Sequence, residues 1–339
     1  MPTNAKPFTL TPNWLAHRYD PPNDSFQFIN VDRNTRTRVP FLTDENLGVL
    51  QPTIVRRSDA TVPADRFAPV RYIFHSAYCC STLLANAYNR PGLSFSLKEP
   101  VILNDLVGWR HRGATPAQTG AVLADAIALL ARPFVAGEAC VIKPSNVVNG
   151  LATALIGGRA DTAALLLYAP LSVYLGSIAN KGLWGRLWVR DLLAKQLVDG
   201  LVDFDLSPQD LFLQTDLQVA AVGWLAQHAL FTRLATTMPN RIRTLDCEAL
   251  LARPTEALAA LDKLFGMSDT PAGRDLIIAR EFSRNAKSGV AYNTSDRTTA
   301  QSDARAVHGD EIEKVISWAE VVASKAGLSF VLPAPLLAV

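Results

Sequence analysis

The chain has no Walker-type phosphate loop, no Cys-x-x-Cys pair, no long uninterrupted apolar run and almost no net charge, and each absence removes a class of function. Four cysteines (Cys79, Cys80, Cys140 and Cys247) and five histidines (His17, His75, His111, His228 and His308) fall in no ligand spacing, which argues against a zinc centre. The cysteines read as reduced small residues, and a cytoplasmic location is expected. A formal net charge of +2 and no Lys/Arg block longer than two residues leave no electrostatic footprint for nucleic acid. No apolar h-region lies between Met1 and Leu10, so no secretory signal is expected there. The longest apolar stretch, 162–178, is interrupted by Pro170 and falls short of the roughly 20 residues that span a bilayer, so no membrane span is expected. Gly-x-x-x-x-Gly-Lys-Ser/Thr does not occur, which excludes the usual loop of ATPases and GTPases.

What is present starts at residue 69. A β-rich run, 70–74, leads into small and polar residues and then into Ser81-Thr82, which open an amphipathic helix. A loop between a buried strand and a helix start directs backbone N–H groups at one spot, a setting for phosphate or sulfate. The hydroxyls of Ser81 and Thr82 add donors. A plain strand-to-helix turn with Ser81 as N-cap is the alternative reading of the same residues.

With 339 residues, 49% apolar and 19% charged, the chain can bury a large core. Residues 1–68 are rich in Pro, Asn, Asp, Arg and aromatics, with a strand-like alternation at 26–31, and read as an N-terminal extension with a small hairpin packed on a main domain, 69–339. Beyond it, short apolar runs at 70–74, 139–142, 164–168 and 242–245 have strand length. Longer helical patterns separate or flank them at 81–88, 116–131, 147–156, 171–181, 183–197 and 208–237. Such alternation predicts an α/β fold with a parallel central sheet flanked by helices, and a ligand crevice beyond the carboxyl ends of its strands. The loop 75–80, the segment 143–146 and the turn 169–172 are then expected to converge.

These motifs resemble the sulfotransferase superfamily. Tyr78-Cys-Cys-Ser-Thr-Leu-Leu is similar to the bacterial family's 5'-phosphosulfate loop, and Lys98-Glu99-Pro100 to the segment that carries the catalytic Glu in several of its members. The run Arg243-Thr-Leu-Asp-Cys-Glu-Ala-Leu-Leu-Ala-Arg-Pro-Thr-Glu-Ala-Leu, ending at Leu264-Phe265-Gly266, is similar to the family's Tyr-Glu-Asp-Leu, Asp-Pro and Phe-Leu-Gly pattern. The likeness spans about 70–289. It implies a P-loop NTPase-like sulfotransferase fold and 3'-phosphoadenosine 5'-phosphosulfate (PAPS) as donor. It also implies donor binding by Tyr78, Cys79, Cys80, Ser81, Thr82 and Ser177, with Arg284 and Lys287 in a loop that closes over the 3'-phosphate. The motifs depart from the family pattern at several positions. Tyr78 replaces the loop's basic residue and Cys80 its glycine, while Tyr168 and Gly176 stand where the 3'-phosphate motif has Arg and Ser, with Ser177 one step further.

Sulfuryl transfer to a hydroxyl is an in-line displacement that needs positioning, charge stabilisation and a base for the acceptor proton. The resemblance makes Glu99 that base. Lys143 lies where cytosolic sulfotransferases carry Lys-Thr-His, with Ser145 or Asn146 in place of the histidine, and His75 at the strand end is a candidate partner for the phosphosulfate. The alternatives are a capping carboxylate paired with Lys98, a solvated strand-end lysine and a structural histidine. The acceptor is expected to be a small molecule or glycan bearing a hydroxyl or amine. Lys98, Lys181, Arg284 and Lys287 are basic groups available to replace the missing ones. A sulfotransferase-fold protein that only binds a nucleotide or partner is the second reading. Another phosphate-donor transferase is a third, weakened by the lack of an Mg-binding Asp constellation.

Overall fold

In the computed structural model, which describes residues 10–48, 50–62, 67–284, 286 and 294–338, the first three strands form an antiparallel sheet. They are β1 (Trp14–Asp20), β2 (Ser25–Asn30) and β3 (Thr53–Arg56), in that spatial order. Where a small hairpin was expected, a third strand has joined it. The next five are β4 (Val70–His75), β5 (Ser94–Lys98), β6 (Ala139–Lys143), β7 (Ala163–Tyr168) and β8 (Ile242–Asp246). All four pairings among them are parallel and give the order β5-β6-β4-β7-β8. The protein is therefore α/β, with a parallel central sheet flanked by helices.

Successive residues of a strand point to opposite faces, and the two cores follow that period. Tyr72, Phe74, Leu97, Ile142 and Leu166 pack on one face, together with Leu15, Phe26 and Phe28 of the antiparallel sheet and with helices Val101–His111 and Pro116–Leu130. Ile73, Val141, Leu165 and Leu167 pack on the other, under helices Ser81–Ala87, Leu171–Asn180 and Pro254–Phe265. Burial on both faces is why these strands read as near-continuous apolar runs.

Several segments differ from the sequence expectation. The pattern at 208–237 is two helices, Pro208–Leu213 and Asp216–Thr237, because Gln214 is extended and Thr215 caps the second one with a reciprocal Gln218 box. Strand β5, helix Val101–His111 and the 32-residue helix Thr294–Lys325 were not expected from pattern. The exposed edge of β8 is covered by the C-terminal segment, with Thr244 N–H donating to the Ala334 carbonyl at 3.0 Å and Leu336 N–H to that of Thr244 at 2.8 Å. The third sequence motif is architectural here. Asp246 caps helix Cys247–Ala252 through Glu248 N–H, Pro254 opens the next helix, and Gly266 closes it at φ +66°.

The strand order also locates the crevice. From central β4 the chain passes outward to β5, returns to β6 beside β4, and then crosses to β7 on the other side. The carboxyl end of β4 therefore lies where the winding reverses, the usual ligand position in open parallel sheets. Among the described residues no helix is long and apolar enough to cross a membrane.

Candidate active site

Residues 75, 98 and 143 end three strands that lie side by side as β5, β6 and β4. Phe74, Leu97 and Ile142 point into the core shared with the antiparallel sheet, so the period of two turns the next residue of each strand, His75, Lys98 and Lys143, to the opposite face, toward helix Ser81–Ala87. Lys98 and Lys143 are register partners across β5 and β6. Both are 1% exposed.

The loop that follows β4 has an uncommon backbone. Ala77, Tyr78 and Cys80 have φ of +71°, +52° and +61°, a region costly for residues other than glycine and often retained where a backbone must present its N–H groups in a fixed concavity. Its scaffold is explicit. His75 Nδ1 accepts from Ala77 N–H at 3.0 Å, which leaves the ring proton on Nε2 to donate to the Pro144 carbonyl at 3.0 Å. Asn149 Nδ2 donates to the His75 carbonyl at 3.1 Å and to Gln227 Oε1 at 3.0 Å, and the Ser76 hydroxyl accepts from Ala169 N–H at 3.1 Å. His75 thus ties β4, the loop and the end of β6 together.

Glu99 completes the cluster. Its backbone is also left-handed, at φ +51°, and its N–H donates to the Lys143 carbonyl at 2.7 Å. In that conformation the carboxylate turns back onto the Lys143 ammonium, forming an ion pair, with Oε1 4.0 Å from His75 Nε2. The Phe41 ring lies 5.1 Å from Lys143 Nζ, so the ammonium sits between a carboxylate and an aromatic face. No local pattern marks Phe41 as a site residue, because segment 37–42 reaches the site only through long-range contacts. Leu42 N–H donates to the Lys98 carbonyl at 2.7 Å, and Val101 N–H to the Leu42 carbonyl at 3.2 Å.

Lys98 is spent elsewhere. Its ammonium donates to the Thr37 carbonyl and to Asn86 Oδ1, both at 2.8 Å, pinning the N-terminal segment to helix Ser81–Ala87. Burial, with some repulsion from Lys143, lowers its pKa to about 8. The unfolded chain holds that proton to about 10.4. Unfolding therefore takes up a proton between those values, and this group's contribution to stability rises with pH across the window. Urea unfolding of Lys98→Met at pH 8 and pH 10 should show that rise lost relative to the parent, and an equal slope in both proteins would refute the buried-ammonium account.

The other expected site residues are placed as follows. Ser81 and Thr82 are buried at the start of their helix, directly after the left-handed Cys80. The Cys79 thiol is fully buried against the Leu167 carbonyl, and burial pushes it up to about 12, so it stays neutral. The Tyr78 ring packs edge-on against Tyr174 at 6.0 Å and Trp188 at 5.6 Å. The Ser177 hydroxyl back-bonds to the Val173 carbonyl at 2.8 Å within its own helix. Its neighbour Gly176 faces Ala304 of helix Thr294–Lys325. Arg284 is exposed, and Lys287 lies outside the described residues. Among the described residues no group of three His, Cys, Asp or Glu side chains is placed to hold a metal ion.

No protein-family model and no curated protein matches the chain. Among solved structures it is similar to the sulfotransferase domain from the Synechococcus PCC 7002 olefin synthase, at 14% identity and a TM-score of 0.41, over 72% of this chain and 90% of that one. That similarity is too low to carry a residue's role from one chain to the other.

Proposed function

We propose that the chain is a sulfotransferase-like enzyme that moves a sulfuryl group from PAPS to a hydroxyl or amine acceptor. The observation that carries this reading is the meeting of Glu99 and Lys143 as an ion pair beside the left-handed loop, at the point where the sheet winding reverses. A carboxylate that takes a proton and a fixed cation that faces developing charge are the two groups such a displacement needs.

In this reading the loop backbone with Ser81 and Thr82 holds the 5'-phosphosulfate. The donor supplies the sulfuryl group and departs as the 3',5'-bisphosphate with the electron pair of the broken S–O bond. Glu99 accepts the proton of the acceptor as the new bond to sulfur forms. Lys143 offsets negative charge on the sulfuryl oxygens. Its ammonium costs no reorganisation during transfer, because Glu99 and Phe41 already hold it. His75 keeps the loop in register through both ring nitrogens. The residues fit the phosphosulfate end of the donor. A small molecule or glycan in a cytoplasmic setting is the acceptor this reading takes.

A second reading, a sulfotransferase-fold protein that binds a nucleotide or partner without turnover, is favoured by one observation. Tyr78, at the place of the phosphosulfate loop's basic residue, packs among aromatic rings, and Ser177, beside the 3'-phosphate motif's serine place, is bonded within its own helix. Calorimetric titration with adenosine 3',5'-bisphosphate tests the first reading, which expects saturable one-to-one binding. No heat of binding would reject PAPS as donor. Binding without transfer to any hydroxylated or amine acceptor in a screen would favour the second.

A further inference from the structure

Resting on the sulfuryl-transfer reading, we infer that Asn146 is a further residue of the transfer site, donating its side-chain N–H to an oxygen of the tetrahedral oxyanion group being moved.

Asn146 opens the 3-10 helix Asn146–Leu151, three residues after Lys143. That helix repeats every three residues, so Asn146 and Asn149 share one face. The face is oriented by Asn149, whose Nδ2 donates to the His75 carbonyl at 3.1 Å. Asn146 therefore stands on the side that looks at the end of β4 and its loop, two residues past Pro144, whose carbonyl accepts from His75. The residue is 6% exposed, and its Nδ2 is a buried donor with no hydrogen-bond partner.

A buried amide donor left unpaired is destabilising, and a fold retains one where something outside the protein supplies the acceptor. At this spot the neighbours define what that is. Lys143 brings a positive charge, the loop backbone brings further donors, and Glu99 brings the base on the acceptor side. An anionic oxygen fits a free N–H in that company. A neutral amide also suits the task, because it donates to a sulfuryl oxygen in flight without competing with Lys143 for Glu99.

The test uses the full chain, inorganic sulfate and adenosine 3',5'-bisphosphate. Sulfate stabilises any fold by exclusion from its surface, so the readout is the difference between proteins. The parent is expected to gain more in Tm from sulfate than Asn146→Ala or the isosteric Asn146→Asp, while the neutral Asn146→Ala binds the bisphosphate within about twofold of the parent, since that ligand lacks the sulfuryl group. Without sulfate, Asn146→Ala should melt no lower than the parent, because the deleted donor has no partner. With a working acceptor, kcat of Asn146→Ala should fall by about 10²- to 10³-fold, the usual loss for one oxyanion donor. Equal sulfate gains in all three proteins would overturn the inference, as would parallel loss of Tm and bisphosphate affinity, the mark of a structural residue. If the parent fails to bind bisphosphate while the sulfate difference persists, the PAPS reading fails and the assignment of Asn146 to an oxyanion site stands.

Discussion

Glu99→Gln is expected to lower turnover by about 10²- to 10⁴-fold, the range that a positioned general base contributes. Bisphosphate affinity should hold within about twofold, because the proposed role of Glu99 is to take the acceptor proton and not to hold the nucleotide. The geometry adds a complication that a simple activity loss would hide. Glu99 is the ion-pair partner of Lys143, whose side chain is buried, so the amide variant leaves an ammonium without its counter-charge and should also melt earlier. The double variant Glu99→Gln/Lys143→Met isolates the stability effect, since Lys143 itself serves the transfer in this reading. It removes the stranded charge, so Tm should recover toward the parent value while turnover stays low. If the double variant regains activity together with Tm, Glu99 acts through the fold and the base lies elsewhere. Full activity in the single variant would exclude Glu99 outright.

The largest stability loss is expected away from the crevice, at Asp262. Its carboxylate accepts from Tyr88 Oη at 3.0 Å and from Arg90 at 2.9 Å, with Arg274 at 3.5 Å, while Arg90 also reaches Asp269 at 3.0 Å. Asp262 is 3% exposed and Arg90 is buried beside it. Asp262→Ala leaves Arg90 with Asp269 as its remaining carboxylate and the buried Tyr88 hydroxyl without its acceptor, and should cost about 3–5 kcal/mol, the usual penalty for removing one partner of a buried pair. Tyr88 and Arg90 directly follow helix Ser81–Ala87, so the loss loosens the element that opens with Ser81 and Thr82. Urea unfolding measures it. A loss under about 1 kcal/mol, the level of a surface pair, would show that solvent already screens the network.

How far the site was readable depends on where each interaction lies in the chain. Strand β4, its loop and the helix start at Ser81 follow from local chemistry, an apolar run, small residues and a first-turn hydroxyl pair, and the structure places the helix start at that serine. Strand β6 likewise runs to Lys143. Strand β5 was missed because Ser94 and Ser96 alternate with Phe95 and Leu97. That pattern suggests a half-exposed strand or a loop, whereas the structure buries all five of its residues. The long helix Thr294–Lys325 was missed because most of its surface is polar.

By itself the sequence determined the fold class, since aliphatic runs of strand length alternating with longer periodic segments have one economical packing, a parallel sheet covered on both faces. It also pointed to the strand ends as the place to look, and it supplied Glu99, Lys143 and His75 as candidates. Tertiary structure alone decided what those groups touch. Lys98 and Lys143 are equivalent in pattern, both at the end of a buried strand, yet one is committed to Thr37 and Asn86 and the other to Glu99. That division depends on the left-handed turn at Glu99 and on the N-terminal segment folding back across the sheet. Both are set by contacts between residues far apart in the chain, which no local periodicity encodes.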